Sequence, residues 1–313
     1  MHTVIKKLTR LIVMWSVFFL PEEKKITVER WVRGREQFRK LGKADCVVVS
    51  FGKSGRTWLR VMLSRFYQVK HGIGERHLMG FDNLHRKNRV IPKIFFTHDN
   101  YLKDYTKHAD SKVDYYGKRV VLLVRNPADV AVSQYHQWKH RMKPGKKTLN
   151  RYPEHGTDLP LYDFVVNHEA GLAKVIDFMN GWAREIPRTK DLLVVSYEDM
   201  RADPDGTLGE MLTFIGTPGT PDEIREAVTF ASFENMKRLE QRKAFWLSGG
   251  RMVPKDRSNP ESYKVRRAKV AGYRDDFTPQ QVAAIDEIIR TGLSPSFGYG
   301  GASESNARRV ASA

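Results

Sequence analysis

Five residues suited to binding phosphate fall within six consecutive positions of the chain: Gly52, Lys53, Ser54, Gly55 and Thr57. The lysine supplies a positive charge, the two hydroxyls supply hydrogen-bond donors, and the glycines allow the backbone to approach a ligand closely. The spacing therefore predicts a phosphate-binding turn.

The sequence on either side of this turn predicts the elements that position it. Residues 46–49 form a short apolar run rich in β-branched side chains, which favours a buried strand. From Thr57 the spacing becomes helical, with Trp58, Met62 and Phe66 on one face. Such a strand, loop and helix bring backbone N–H groups and the helix dipole to one point, where an anion is favoured.

The turn differs from the Walker A loop of nucleoside triphosphatases. Its end, Gly52-Lys53-Ser54, matches GxxxxGK[ST], but the leading glycine would fall on Val47, inside the predicted strand. A loop this short cannot wrap a triphosphate, so an ordinary nucleoside triphosphatase is disfavoured.

Other polar residues follow further predicted strands. Strands over 94–97, 120–124 and 192–195 end close to His98, Arg125 and Tyr197, and helical patterns separate several of them. Alternating strands and helices predict an α/β fold with a mostly parallel sheet, helices on both faces and a P-loop-like nucleotide site. In such folds, ligands bind at the carboxyl ends of the strands.

Two motifs resemble those of one enzyme family. GKSGRTW at 52–58 resembles the loop PKSGTTW that binds the 5′-phosphosulfate in sulfotransferases using 3′-phosphoadenosine 5′-phosphosulfate (PAPS). RNPADVAVSQYHQW at 125–138 resembles the longer 3′-phosphate motif RNPxDxxxSxYxH. In the second motif, Asn126 is a helix cap and Pro127 the first helical residue, so we expect a helix to about Arg141. The likeness extends over most of residues 45–299 and indicates a cytosolic-type, bacterial-like member, an enzyme of class EC 2.8.2.

The resemblance implies residue roles that composition and spacing do not show. Arg125 and Ser133 would hold the 3′-phosphate, the rings of Trp58, Tyr197 and Phe233 would surround adenine, and Ser232 would hydrogen-bond the nucleotide. VRRAKVAGYRDDFT resembles the family's RKGxxGDW segment, which gives Arg266 first and Arg267 second as further 3′-phosphate ligands. The implied nucleotide-binding residues are Lys53, Ser54, Gly55, Arg56, Thr57, Trp58, Arg125, Ser133, Tyr197, Ser232, Phe233, Arg266 and Arg267.

Several positions depart from the family pattern. Gly52 stands for a proline, Arg56 for a threonine, Phe96 for a lysine and Ala231 for a threonine. In the RKGxxGDW segment, Ala, Ala, Gly and Tyr at positions 268 and 271–273 stand for Gly, Gly, Asp and Trp. The loss of lysine at position 96 removes a cation that the family places near the transferring group.

The resemblance also implies the chemistry. His98 would deprotonate the acceptor hydroxyl, since histidine titrates near neutral pH, and Asp99 is an alternative base. Lys53 would neutralise the charge that develops on the leaving 5′-phosphate during in-line sulfuryl transfer. PAPS is the co-substrate, and no metal is expected.

Charge and cysteine content limit the partners and the compartment. The net charge of +18 favours anionic partners, among them nucleotides, nucleic acid, acidic glycans and membrane surfaces. The single cysteine, Cys46, excludes an internal disulfide and fits a reducing, cytoplasmic location.

We expect three segments: an apolar and basic N-terminal segment with a connector over 1–42, one sulfotransferase domain over 43–299, and a disordered tail over 300–313. Lys6, Lys7 and Arg10 precede an apolar run that is too short to span a bilayer. Residues 4–20 are therefore expected either to lie in a membrane interface or to pack on the domain.

The acceptor is open at this stage. Basic loops over 139–147 and 247–264 favour a glycan or another anionic acceptor, the N-terminal run suits a lipid, and a small-molecule alcohol is a third choice. A small-molecule kinase would share Lys53 but would need an acid that binds Mg²⁺. A nucleic-acid-binding protein would explain the charge, but the chain has no recognisable nucleic-acid motif, which makes nucleic acid an unfavoured partner.

Overall fold

In a computed structural model, the protein has a five-stranded sheet at its centre. The structure describes residues 10–245, 252–254, 256, 258–265, 267–300 and 310–311. The strand order is β2-β1-β3-β4-β5. The first four strands are parallel and β5 is antiparallel to β4. The strands are β1 (Cys46–Ser50), β2 (Ile94–Thr97), β3 (Arg119–Val124), β4 (Asp191–Ser196) and β5 (Val310–Ala311).

Helices cover both faces of this sheet. An apolar helix over 10–16 (α1) and a charge-rich helix over Glu22–Gly42 (α2) precede β1. The remaining α-helices are α3 (Arg56–His71), α4 (Leu102–Thr106), α5 (Pro127–His140), α6 (Pro144–Leu149), α7 (Leu161–Val166), α8 (Leu172–Ala183), α9 (Tyr197–Ala202), α10 (Pro204–Ile215), α11 (Pro221–Phe230), α12 (Phe233–Gln241) and α13 (Pro279–Gly292).

The central strands are apolar at almost every position because both of their faces are buried. In β1, Val47 and Val49 enter one core, which α5, α7, α8 and α13 complete, while Cys46 and Val48 enter a second core against α3 and α10. Side chains alternate between the faces of a strand, so a continuous apolar run is what a doubly covered parallel sheet requires.

The sequence-predicted α/β fold is confirmed, and its four parallel strands begin or end within one residue of the predicted positions, while β5 has no counterpart among the predicted strands. The Asn126 side chain caps α5 by accepting from the backbone N–H of Ala128, as its place before Pro127 predicts. At the other end of the domain, Thr278 and Gln281 form a capping box at the start of α13.

Candidate active site

The loop between β1 and α3 is held in a conformation that exposes its backbone at the end of the strand. Lys53 and Gly55 both adopt left-handed backbone angles, with φ of 77° and 89°. A Cβ on Gly55 would lie 2.6 Å from Cδ2 of Tyr197, so only glycine allows the loop to pack against that ring. A lysine in this conformation is strained by about 1–3 kcal/mol, a cost found mostly at functional sites.

The N-terminus of α3 faces the same loop. No side chain caps this helix at Gly55, and the backbone N–H groups of Trp58 and Leu59 donate to the Gly55 carbonyl. The preceding N–H groups belong to the uncapped first turn, whose dipole favours an anion. Arg56 and Thr57 line the cavity beside this turn. The geometry suits a phosphate group.

Arg125, at the end of β3, reaches across to the loop. Its Nη1 donates to the Lys53 carbonyl at 3.3 Å, and its Nη2 donates to Asp129 Oδ2 at 3.2 Å and to the Lys269 carbonyl at 3.1 Å. Its buried Nε has no hydrogen-bond partner among the described residues. A phosphate oxygen would satisfy this nitrogen, because guanidinium groups bind phosphate through several N–H donors.

Three aromatic rings lie beside Arg125 and the loop. Trp58 and Tyr197 are in edge contact at 5.9 Å, and the Arg125 guanidinium lies 4.2 Å from the centre of the Tyr197 ring. The Trp58 indole N–H donates to the Ala231 carbonyl, which fixes the ring, and Phe233 lines the same cavity. These surfaces can hold a purine between them.

The segment after 260 closes this side of the site. The carboxylate of Asp129 accepts from the backbone N–H of Tyr273 at 3.0 Å, and buried Glu240 accepts from the backbone N–H groups of Lys264 and Val265. Arg267 lines the cavity and pairs with Asp276 at 2.7 Å. The sequence-predicted ligand Arg266 lies outside the described residues.

His98 lies at the end of β2, with its two ring nitrogens in different environments. Nδ1 is 2.8 Å from the Ser50 carbonyl, which can only accept, so Nδ1 carries the proton. Nε2 then presents a lone pair, and it accepts from the Arg56 guanidinium. Burial and the Arg56 charge lower the pKa of His98 well below its ordinary value, which keeps the ring neutral at physiological pH.

The neighbouring carboxylate is already engaged. Asp99 Oδ2 accepts from Lys112 at 2.7 Å and Oδ1 accepts from the Tyr115 hydroxyl at 2.8 Å. Both carboxylate oxygens are therefore occupied by structural hydrogen bonds, and this favours His98 over Asp99 as the candidate base.

A cation still lies close to His98 although Phe96 replaces the family's lysine. The Arg60 guanidinium stacks 3.8 Å from the centre of the Phe96 ring, and its charge is among the causes of the low pKa of His98. With Arg56 at the imidazole itself, two arginines of α3 occupy the side of the site that the missing lysine would serve.

One cavity of about 1270 Å³ collects most of the predicted site residues. Ser54 and Ser232 do not line it: the Ser54 side chain is only 2% exposed, and the Ser232 hydroxyl caps α12. The predicted residues that line the cavity are Lys53, Gly55, Arg56, Thr57, Trp58, His98, Arg125, Ser133, Tyr197, Phe233 and Arg267.

Sequence reasoning missed several residues that position this site. Asp129 is the acidic residue of the RNPAD motif and follows Arg125 by four positions at the start of α5. This spacing could have indicated the ion pair between Arg125 and Asp129. Glu198 accepts from the Asn126 backbone N–H at 3.0 Å and from the Tyr299 hydroxyl at 2.6 Å. The partners of Glu198 are far away in the sequence, so no local sequence pattern predicts these contacts.

Comparisons with known proteins all identify relatives in the same enzyme family. The model of the sulfotransferase domain family matches residues 43–297. Sulfotransferase 2A6 of Rattus norvegicus is 25% identical over 261 residues, covering 79% of this chain and 83% of the relative. Cytosolic sulfotransferase 14 of Arabidopsis thaliana is 24% identical over 283 residues, covering 80% of this chain and 76% of the relative.

A solved structure shares the fold. The crystal structure of mouse sulfotransferase SULT7A1 complexed with PAP superimposes with a TM-score of 0.55 at 22% sequence identity, covering 82% of this chain and 89% of the mouse protein.

Proposed function

The chain belongs to the sulfotransferase domain family, and we propose that it moves the sulfuryl group of PAPS to an acceptor hydroxyl with Lys53, Arg125 and His98 at the reacting centre. The observation that carries these assignments is the direct link between Arg125 and the Lys53 loop, in the same cavity as a neutral His98. In this proposal, the binding site for the two phosphates of the nucleotide lies next to the base.

The nucleotide is held from both ends in this proposal. The uncapped turn at Gly55, Arg56 and Thr57 receives the 5′-phosphosulfate. Arg125 and Ser133, with Arg267 and Arg266 of the C-terminal segment, receive the 3′-phosphate. Trp58, Tyr197 and Phe233 surround the adenine between them. Ser54 and Ser232 have no role in the proposal, since neither lines the cavity.

The transfer balances as a single displacement at sulfur. The acceptor oxygen gives its proton to Nε2 of His98 and forms a bond to sulfur, while the bond from sulfur to the bridging oxygen breaks. The leaving 5′-phosphate gains the negative charge, which Lys53 neutralises. Arg56 has to leave Nε2 before the acceptor can bind there, and the sulfuryl oxygens offer its guanidinium a new partner.

The acceptor binds in the same cavity, which is larger than the 300–1000 Å³ or so typical of a single ligand. The part near His98 combines apolar rings, Phe51 and Phe178, with polar walls. This supports an acceptor of small-molecule size, either free or as the exposed end of a glycan or lipid.

A peripheral membrane contact through residues 4–20 is part of the proposal. Within the described portion of this segment, the apolar side chains face solvent: Leu11, Ile12, Trp15, Phe18 and Phe19 are 59–77% exposed. An apolar surface beside basic residues suits the interface of an anionic membrane. No helix within the described residues is long and apolar enough to cross a bilayer, so the proposed contact is at the surface.

Calorimetric titration tests the nucleotide assignment. We expect the full chain to bind 3′-phosphoadenosine 5′-phosphate (PAP) more tightly than adenosine 5′-phosphate or ATP, with no change on adding EDTA. Arg125→Ala should weaken PAP binding by about 10–100-fold, because each lost charge-assisted hydrogen bond is worth about 1.5–3 kcal/mol. Arg188→Ala is the matched control, since this exposed arginine lies outside the cavity. Tighter binding of ATP with a Mg²⁺ requirement would overturn the assignment in favour of a kinase.

A further inference from the structure

Four cations converge on the part of the cavity that the nucleotide assignment leaves free. Lys103 of α4, Lys146 of α6, Arg151 after α6 and Lys174 of α8 all line it, and we call them the basic cluster. They come from three segments, 102–106, 144–151 and 172–183, so the fold brings them together.

Hydrogen bonds around Asn150 hold the basic cluster together. The Lys174 ammonium donates to the Asn150 carbonyl at 2.7 Å, and the Asn150 side chain donates to the Lys146 carbonyl at 2.9 Å. The Tyr101 hydroxyl donates to the Asn150 side-chain oxygen at 2.8 Å. The Lys146 ammonium lies 5.6 Å from the centre of the Tyr101 ring. The Lys146 and Lys174 ammonium groups are therefore held in place, while Lys103 and Arg151 are exposed at the edge of the cluster.

The basic cluster carries more positive charge than its surroundings balance. Among the described residues, none of its four cations has a carboxylate within ion-pair distance. The nearby Asp104 is taken by Arg30, which binds it through two nitrogens at 3.0 Å. Glu169 and Asp177 also line the cavity, and the Glu169 charge acts on Lys174 against the effect of burial, so the four cations are only partly balanced.

The pKa values of the two half-buried lysines, Lys146 and Lys174, reflect the energetic cost of burying their charges. Burial, followed by the charge of Arg33, lowers the pKa of Lys146 to about 8. Burial also lowers the pKa of Lys174 to about 8, and the nearby charges of Arg30, Arg151 and Lys103 add to the effect. Burying cations without anions is unfavourable, and an anionic ligand would offset it.

We infer that the basic cluster binds an anionic group, such as a phosphate or carboxylate, carried by the acceptor some distance from its reacting hydroxyl. This inference rests on the proposed function, because it takes His98 as the point of reaction. Tyr101 follows His98 by three residues, which limits their Cα separation to about 11 Å. His98 and the basic cluster beside Tyr101 therefore lie in one cavity, where a single acceptor molecule can contact both. A free metabolite and a lipid head group both offer this chemistry.

The test uses the full chain saturated with PAP, so that the nucleotide site is filled and its integrity is measured first. Inositol 1-phosphate and inositol are then titrated by calorimetry, and vesicles containing phosphatidylinositol are compared with vesicles of phosphatidylcholine. We expect inositol 1-phosphate, the phosphatidylinositol vesicles or both to bind at least about 10-fold more tightly than their neutral counterparts, one charge-assisted contact being worth that much. Preference for the soluble phosphate indicates a metabolite, and preference for the vesicles alone indicates a lipid head group.

Variants then assign the binding to the cluster. Lys146→Gln with Lys174→Gln should abolish the preference while PAP binding stays unchanged. Lys190→Gln is the matched control, because this exposed lysine lies outside the cavity. Equal binding of the charged and neutral probes, no binding of either, or a preference that survives in the double variant would overturn the inference. Failure of PAP itself to bind would instead overturn the proposed function.

Discussion

The guanidinium of Arg56 donates to Nε2 of His98, the nitrogen that we propose as the proton acceptor, while Nδ1 of the same ring donates to the Ser50 carbonyl. Both nitrogens are thus held before any substrate arrives. The cation stands where the related family motif has a threonine, so it gives this chain a pH behaviour of its own.

The pH profile should report this contact. The pKa of His98 is lowered, so the base stays unprotonated across neutral pH. The acid limb of the kcat/KM profile should therefore lie at pH values below about 6.5. Arg56→Thr removes the second largest cause of the lowering, so the limb should move to higher pH. Arg188→Thr should leave it in place. A limb that stays put or moves down in Arg56→Thr would contradict the electrostatic coupling.

His98→Asn should lower kcat by about 10²–10⁴-fold with PAP binding retained, since general-base catalysis is worth about that much. Steady-state kinetics and calorimetry measure the two effects separately. Asp99→Asn is the comparison. Because both carboxylate oxygens serve Lys112 and Tyr115, we expect a lower Tm and an unaltered shape of the pH profile. The reverse pattern would make Asp99 the base.

Gly55→Ala should weaken PAP binding and destabilise the chain by about 1–3 kcal/mol, the usual cost of forcing a side chain into a strained backbone region. The new Cβ would press on the Tyr197 ring at 2.6 Å. Urea unfolding and calorimetry follow the two effects. Gly117→Ala is the matched control, because a Cβ there meets nothing within 4 Å. Equal effects of the two substitutions would refute the packing argument.

Glu240→Ala should destabilise the chain by about 3–5 kcal/mol, because it leaves Arg141 buried without its partner. Glu240 is completely buried, pairs with Arg141, and also anchors the backbone of Lys264 and Val265 beside the cavity. Chemical unfolding measures the loss. Glu234→Ala, on the exposed side of α12, should cost less than about 1 kcal/mol.

Trp15→Ser with Phe18→Ser should reduce binding to anionic vesicles by about 10-fold or more in a sedimentation assay, since each fully transferred large apolar side chain contributes about 1.5–3 kcal/mol. Both side chains are about 70% exposed or more. The matched control is Val90→Ser with Val113→Ser, two exposed apolar residues elsewhere on the chain. Equal binding by the N-terminal variant and the unaltered chain would argue for a role of this segment away from membranes.

Local sequence determined a large part of this protein. The strands were predictable because both of their faces are buried, which leaves uninterrupted apolar runs such as 46–49. The cap at Asn126 and the capping box at Thr278 depend on neighbours within one helical turn. The loop at Lys53 and the RNP motif are likewise contiguous. The family match confirms the sulfotransferase and its PAPS co-substrate that these motifs predicted, and gives no support to a kinase or a nucleic-acid-binding protein.

Only the tertiary structure decided which polar groups meet. Arg56 and His98 are 42 positions apart, and Glu198 reaches Tyr299 across 101, so no local spacing reveals either contact. The predicted ligands Ser54 and Ser232 do not line the cavity, because Ser54 is buried and the Ser232 hydroxyl caps α12. The basic cluster exists because three separate segments are folded against one another. Electrostatic interactions act through space, and the distances that set them are fixed only when the chain is packed.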